Sequence, residues 1–118
     1  MMVVRSPGRF EKAERMQLGL VITDERCGKY AIGLLTAALA RGWSVRCFLT
    51  DRGVLMLGDP TLTSHLHNDH MAVAICELSI ERYPQVAAAL RLVADKVLIG
   101  GQYQDAELVR YSDRVIVL

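Results

Sequence analysis

At 118 residues, 52% of them apolar and 23% charged, the chain has room for one domain with a real core and is too hydrophobic to be disordered. Its 14 Lys and Arg balance 13 Asp and Glu, so charge gives no case for nucleic acid or an anionic membrane as partner. Cys27, Cys47 and Cys76 are odd in number, far apart and form no CxxC pair, which argues against a disulfide framework or a zinc knuckle and favours a reducing cytoplasm. The N-terminal stretch is too charged for a signal peptide, and no apolar run is long enough to span a bilayer.

Residues 1–16 contain the Pro7-Gly8 pair and mixed charges, and read as a loose arm with a helical turn around Glu11 to Met16. The domain proper is expected over 17–118. Leu18 to Thr23 is a short apolar strand, followed at once by the polar turn Asp24, Glu25, Arg26. Apolar residues then recur at helical spacing from Gly28 to Arg41, and Gly42 supplies the stop. That helix has little polar surface, so its outer face is a candidate for self-association. Ser44 to Thr50 is the second strand and completes a parallel βαβ unit. Asp51, Arg52 and Gly53 turn the chain, and Val54 to Leu57 reads equally as a short strand or a helical turn. Thr61 to His70 is polar and reads as a surface loop.

Met71 to Ile75 is almost wholly apolar, as expected of a strand covered on both faces, and Cys76 ends it. A helical turn begins soon after, and Pro84 opens another helix over Gln85 to Ala94. Lys96 to Gly100, Asp105 to Tyr111 and Val115 to Leu118 follow as strand, helix and strand. The alternation predicts an α/β sandwich.

Reactive groups in open α/β sheets collect at the carboxyl ends of the strands, which makes Cys76 the leading candidate. Backbone N–H groups at the start of the following helix favour its thiolate, whereas Glu77 beside it opposes that. The alternative is structural, since free cysteine often packs as a small hydrophobe. Cys27 also follows a strand and precedes a helix, without a readable base or partner thiol; Cys47 lies within a strand and reads as core. His65, His67 and His70 form an H-x-H-x-x-H cluster, a weak candidate for a metal site and a candidate acid or base over Cys76. No Gly-rich nucleotide fingerprint, nucleophile elbow or metalloprotease motif is present, and no cofactor is implied. Gly100-Gly101 reads as turn chemistry, and Asp24 and Asp51 as cap and turn residues.

Four stretches together resemble the DsrE/DsrF-like family of small sulfur-relay proteins: LARGWSVRCFLT at Leu39 to Thr50, DRGV at Asp51 to Val54, CELS at Cys76 to Ser79, and GGQYQDAELVRYSDRVIVL at Gly100 to Leu118. The likeness runs from about Leu18 to Leu118, nearly a whole domain. It implies a single-domain three-layer sandwich, a mostly parallel sheet of about five strands in flavodoxin-like topology with helices on both faces. It also implies homo- or hetero-oligomers of related subunits. By the same resemblance, Cys76 accepts sulfane sulfur from a donor protein, holds it as a persulfide and passes it to a partner thiol; Ser79 belongs to the matching CELS stretch, and Glu77 and Cys27 are supporting candidates from the local reading. Glu77 and the histidine loop do not map onto the family pattern. The competing reading is a non-catalytic oligomeric binding or scaffold module of the same fold.

Overall fold

A computed structural model describes residues 2–5 and 15–118, including a six-stranded sheet in the order β1-β6-β2-β3-β4-β5. Its strands are β1 (Met2–Arg5), β2 (Gln17–Ile22), β3 (Ser44–Leu49), β4 (Met71–Cys76), β5 (Leu98–Gly100) and β6 (Arg114–Val117). β2 to β6 pair in parallel, and β1 adds an antiparallel edge with Met2 opposite Val117. The helices are α1 (Gly28–Ala40), α2 (Pro60–Thr63), α3 (Glu77–Arg82), α4 (Ala87–Val93) and α5 (Gln102–Tyr111). Tighter 3-10 turns cover Glu25–Cys27, Asp51–Gly58 and Pro84–Val86.

The face of the sheet toward α1 is covered along β2, β3 and β4, whereas α5 covers only part of the other, leaving Ala72 of β4 and Leu98 of β5 exposed, so the expectation that Met71 to Ile75 is covered on both faces holds for one face only. Leu18, Leu20 and Ile22 of β2, with Val45, Cys47, Leu49, Val73 and Ile75, face Ala31, Leu35 and Ala38 of α1 and Val54, Met56 and Leu57 of the long 3-10 turn. The alternate residues Val21, Phe48 and Val115 face the other way and pack beneath Leu108 of α5. Each fully buried leucine here contributes about 1.5–3 kcal/mol of transfer free energy. Successive crossovers from β2 to β5 step in one direction, and only the α5 connection returns across the sheet to β6. Among the parallel strands the order is therefore β6-β2-β3-β4-β5, which differs from the flavodoxin order 2-1-3-4-5.

Two further readings change. Met2–Arg5, placed in a loose arm, forms edge strand β1; the helical turn expected around Glu11 to Met16 falls largely in 6–14, outside the described residues. The stretch Thr61 to His70, read as a polar loop, begins inside α2, where Asp59 caps the Thr61 N–H at 2.8 Å, and it buries Leu62 and Leu66 in the core. Leu62 and Leu66 stand at the helical i, i+4 spacing, but two apolar residues in a polar stretch of ten are too few to establish a period, so sequence pattern misses such anchors.

Parallel pairing brings the ends of β2, β3, β4 and β5 to one edge of the sheet. The histidine loop lies at the other edge: Val45, at the start of β3, donates its N–H to the His70 carbonyl at 2.8 Å. β4 then rises about 16 Å before reaching Cys76. The histidines do not overhang the thiol.

Candidate functional site

Cys76 is the last residue of β4 and the N-cap of α3, with extended φ and ψ of −71° and 122°. Strand alternation turns its side chain toward the α5 face, where it packs at the margin of the Phe48–Leu108 cluster. It is half-buried. Beside it a cleft of about 510 Å³ opens between the ends of β3 and β4 (Phe48, Thr50, Cys76), the start of α3 (Glu77, Leu78) and the start of α5 (Gly101, Gln102, Asp105). Glu77 and Asp105 are the ionisable side chains that share this wall with the thiol, among the described residues.

The turn leaving β3 braces the cleft from behind. Asp51 adopts φ = 53°, in the left-handed region where side chains are disfavoured, and this aims its N–H at the Ser79 hydroxyl oxygen, 2.7 Å away. Its carboxylate accepts from the Tyr83 hydroxyl at 3.3 Å and from Arg82 at 3.4 Å. Arg52 forms a two-pronged pair with Glu25, at 2.9 and 2.8 Å, and lies over the Tyr83 ring. Gly53 passes so close to β2 that a Cβ there would sit 1.8 Å from the Ile22 carbonyl oxygen. A single turn thus ties the ends of β2, β3 and β4 together.

Burial pushes the Cys76 thiol up, but the Ser79 hydroxyl and N–H, the Thr50 hydroxyl and the Leu78 N–H outweigh it and leave the thiol below its ordinary value. The sulfur does not cap α3 with a formed hydrogen bond, so these groups surround it as donors ready for the ionised form. With only six residues, α3 has a weak macrodipole, and local donors do the work expected of the helix end.

Of the residues singled out from sequence, the fold brings Cys76, Glu77 and Ser79 together. Cys27 is left outside this cleft. It lines a separate apolar groove of about 620 Å³ with Tyr30, Gly33, Leu34 and Leu118. Cys47 is buried in the core, which pushes its thiol up to about 12. His65 Nε2 lies 3.4 Å from the Thr36 hydroxyl, His67 and His70 are exposed, and among the described residues no group of three or more His, Cys, Asp or Glu could hold a metal. Asp24 caps the first 3-10 turn through the Arg26 N–H at 2.9 Å, and the Arg26 guanidinium holds its carboxyl well below the usual range.

Thr50, Gln102 and Asp105 were not singled out from the residues alone. Their membership follows from β3 and β5 flanking β4 in the sheet, a relation that the order of residues does not carry. No helix among the described residues is long and apolar enough to cross a membrane. No protein-family model, curated protein or solved structure matches the chain.

Proposed function

We propose that this chain is a small intracellular sulfur carrier that holds sulfane sulfur as a persulfide on Cys76 and passes it to a partner thiol. The observation that carries the reading is a half-buried strand-end thiol, opening on a cleft and ringed by hydroxyl and N–H donors that favour its thiolate. The likeness of the CELS and DRGV stretches to sulfur-relay proteins supports it. In loading, the Cys76 thiolate attacks the outer sulfur of a donor persulfide R–S–SH. A new S–S bond forms, the donor S–S bond breaks with its electron pair leaving on R–S⁻, and the proton stays on the transferred sulfur. Unloading repeats the step with an acceptor thiolate attacking and Cys76 leaving. No external oxidant is needed.

The test is intact mass of the reduced protein after incubation with a persulfide donor, beside Cys76→Ser and Cys27→Ser. One reversible sulfur on the parent and on the Cys27 variant, and none on the Cys76 variant, is the expected result. Equal loading of all three, or none of the parent, ends the proposal.

A second reading is a non-catalytic oligomeric module. It is favoured by α1, whose exposed residues Tyr30, Gly33, Thr36, Ala37 and Ala40 carry no charge beside the single Lys29. It predicts a multimer by light scattering that persists, with its binding, after Cys76→Ser.

A further inference from the structure

Ser79 and Ser112 are the buried polar residues among the described ones, at 5% and 0% exposure, and their surroundings differ. The Ser112 hydroxyl has no partner among the described residues, whereas the Ser79 oxygen accepts the Asp51 N–H at 2.7 Å. A serine hydroxyl has a single proton to donate. With its oxygen engaged by Asp51, that proton is left for a second acceptor, and Cys76, as N-cap of α3, and Ser79, as its third residue, share the first helical turn. Donation of that proton to the ionised sulfur would complete a chain from the Asp51 N–H through the Ser79 hydroxyl, in which each member polarises the next. Its origin is the left-handed φ of Asp51, which the close approach of Gly53 to Ile22 holds in place.

We propose that Ser79 is a positioning residue for Cys76: gripped by the Asp51 N–H, its hydroxyl orients the sulfur and stabilises the thiolate that opens loading and re-forms on unloading. The consequence for transfer rests on the sulfur-carrier reading, but the placement of the thiolate does not. A better-stabilised thiolate is a larger fraction of the thiol at neutral pH and a better leaving group when the sulfur moves on. The other ionisable groups facing the thiol are Glu77 at the start of α3 and Asp105 on α5, which line the same cleft, while the Asp51 carboxylate is turned toward Arg82 and Tyr83.

The test reads iodoacetamide alkylation of Cys76 against pH in a Cys27→Ser background, with far-UV circular dichroism to establish folding. Ser79→Ala should move the alkylation profile to higher pH and slow the reaction at pH 7 several-fold. Ser79→Thr, which keeps the hydroxyl, should stay near the parent profile. A folded alanine variant with the parent's profile overturns the inference. So does a folded threonine variant whose profile moves upward, and that second arm stands even if alanine prevents folding. Sulfur loading, read separately by mass, keeps the two ideas apart: a parent that never loads ends the carrier reading and leaves the alkylation result standing.

Discussion

Gly53→Ala is the substitution the structure makes most costly for its size. The added Cβ would lie 1.8 Å from the Ile22 carbonyl oxygen, 2.5 Å from its carbon and 3.1 Å from the Thr23 nitrogen. A comfortable carbon–oxygen contact is about 3.3 Å, so roughly 1.5 Å of separation must be found between two backbone segments. Neither is free to yield. Ile22 accepts the Thr50 N–H at 3.0 Å, the Thr23 N–H is bound to the Leu118 carbonyl at 2.7 Å, and the Gly53 N–H is bound to Thr50 at 2.9 Å. Moving the turn away breaks the first of these and loosens the last, along with the Asp51–Ser79 bond, at about 1 kcal/mol each. It also lifts the fully buried Val54 from its packing, for about 1–2 kcal/mol more. The expected loss is about 4–5 kcal/mol, a large part of the roughly 5–15 kcal/mol that holds an ordinary domain together. Glycine to alanine at a compatible site would instead stabilise by about 0.4–1 kcal/mol, so the predicted sign is opposite to that of a permissive turn. Urea unfolding followed by circular dichroism measures it. A loss under about 1 kcal/mol would refute the idea that Gly53 locks the β3 exit against β2.

Further expectations concern the thiols and one orphaned hydroxyl. Limited alkylation of the native protein followed by peptide mass spectrometry should label Cys76 readily and leave Cys47 unmodified until denaturant is added; early labelling of Cys47 would contradict its place in the core. Cys47 has its folded value raised to about 12, so its contribution to stability is complete below the unfolded thiol range and is lost as pH climbs toward 12. Cys47→Val should therefore flatten the alkaline fall in urea midpoint, and an equally steep fall in that variant would remove Cys47 as its cause. Cys76 has its value depressed, so its contribution is present above the unfolded thiol range and is lost as pH falls through the folded value. The stability gap between parent and Cys76→Ser should narrow on acidification over that interval; a gap that widens would reverse the sign argued for the thiol. Ser112→Ala removes a buried hydroxyl without a partner among the described residues and should be neutral or stabilising by about 1 kcal/mol, where a clear loss in thermal midpoint would point to a bond this hydroxyl makes.

The sequence exposed β4 and its terminal cysteine because a run of apolar, partly β-branched residues too short for a helix and bounded by polar ones fits a buried strand and little else. α1 was legible for a similar reason, its buried Ala31, Leu35 and Ala38 recurring at helical spacing. The Asp51–Gly58 turn was ambiguous because a 3-10 segment shares neither the strand nor the α-helix period. β1 escaped because a short edge strand is specified by its partner β6, more than a hundred residues away in the chain, and not by its own four residues. The grouping of Cys76 with Thr50 and Asp105 was hidden for the same physical reason, since sheet order decides it. The separation of Cys76 from the histidines was hidden too, although His70 is only six positions away. A strand carries those two residues to opposite edges.

The site's chemistry therefore depends on a turn that contributes no reacting atom to it. Ser79 shares a helical turn with Cys76, so the local sequence alone makes the two side chains neighbours. What the tertiary fold adds is the Asp51 N–H, delivered from the neighbouring strand, which holds the hydroxyl oxygen and leaves the proton for the sulfur. That delivery requires a left-handed residue after Thr50, and the left-handed residue persists because Gly53 lets the turn lie against Ile22. Damage to Gly53 should consequently appear at Cys76 before the fold is lost. In mild urea, the Gly53→Ala protein that remains folded should alkylate at Cys76 with the slowed, high-pH profile expected of Ser79→Ala. Parent-like alkylation in that folded fraction would show that the serine orients the thiol without help from the β3 turn.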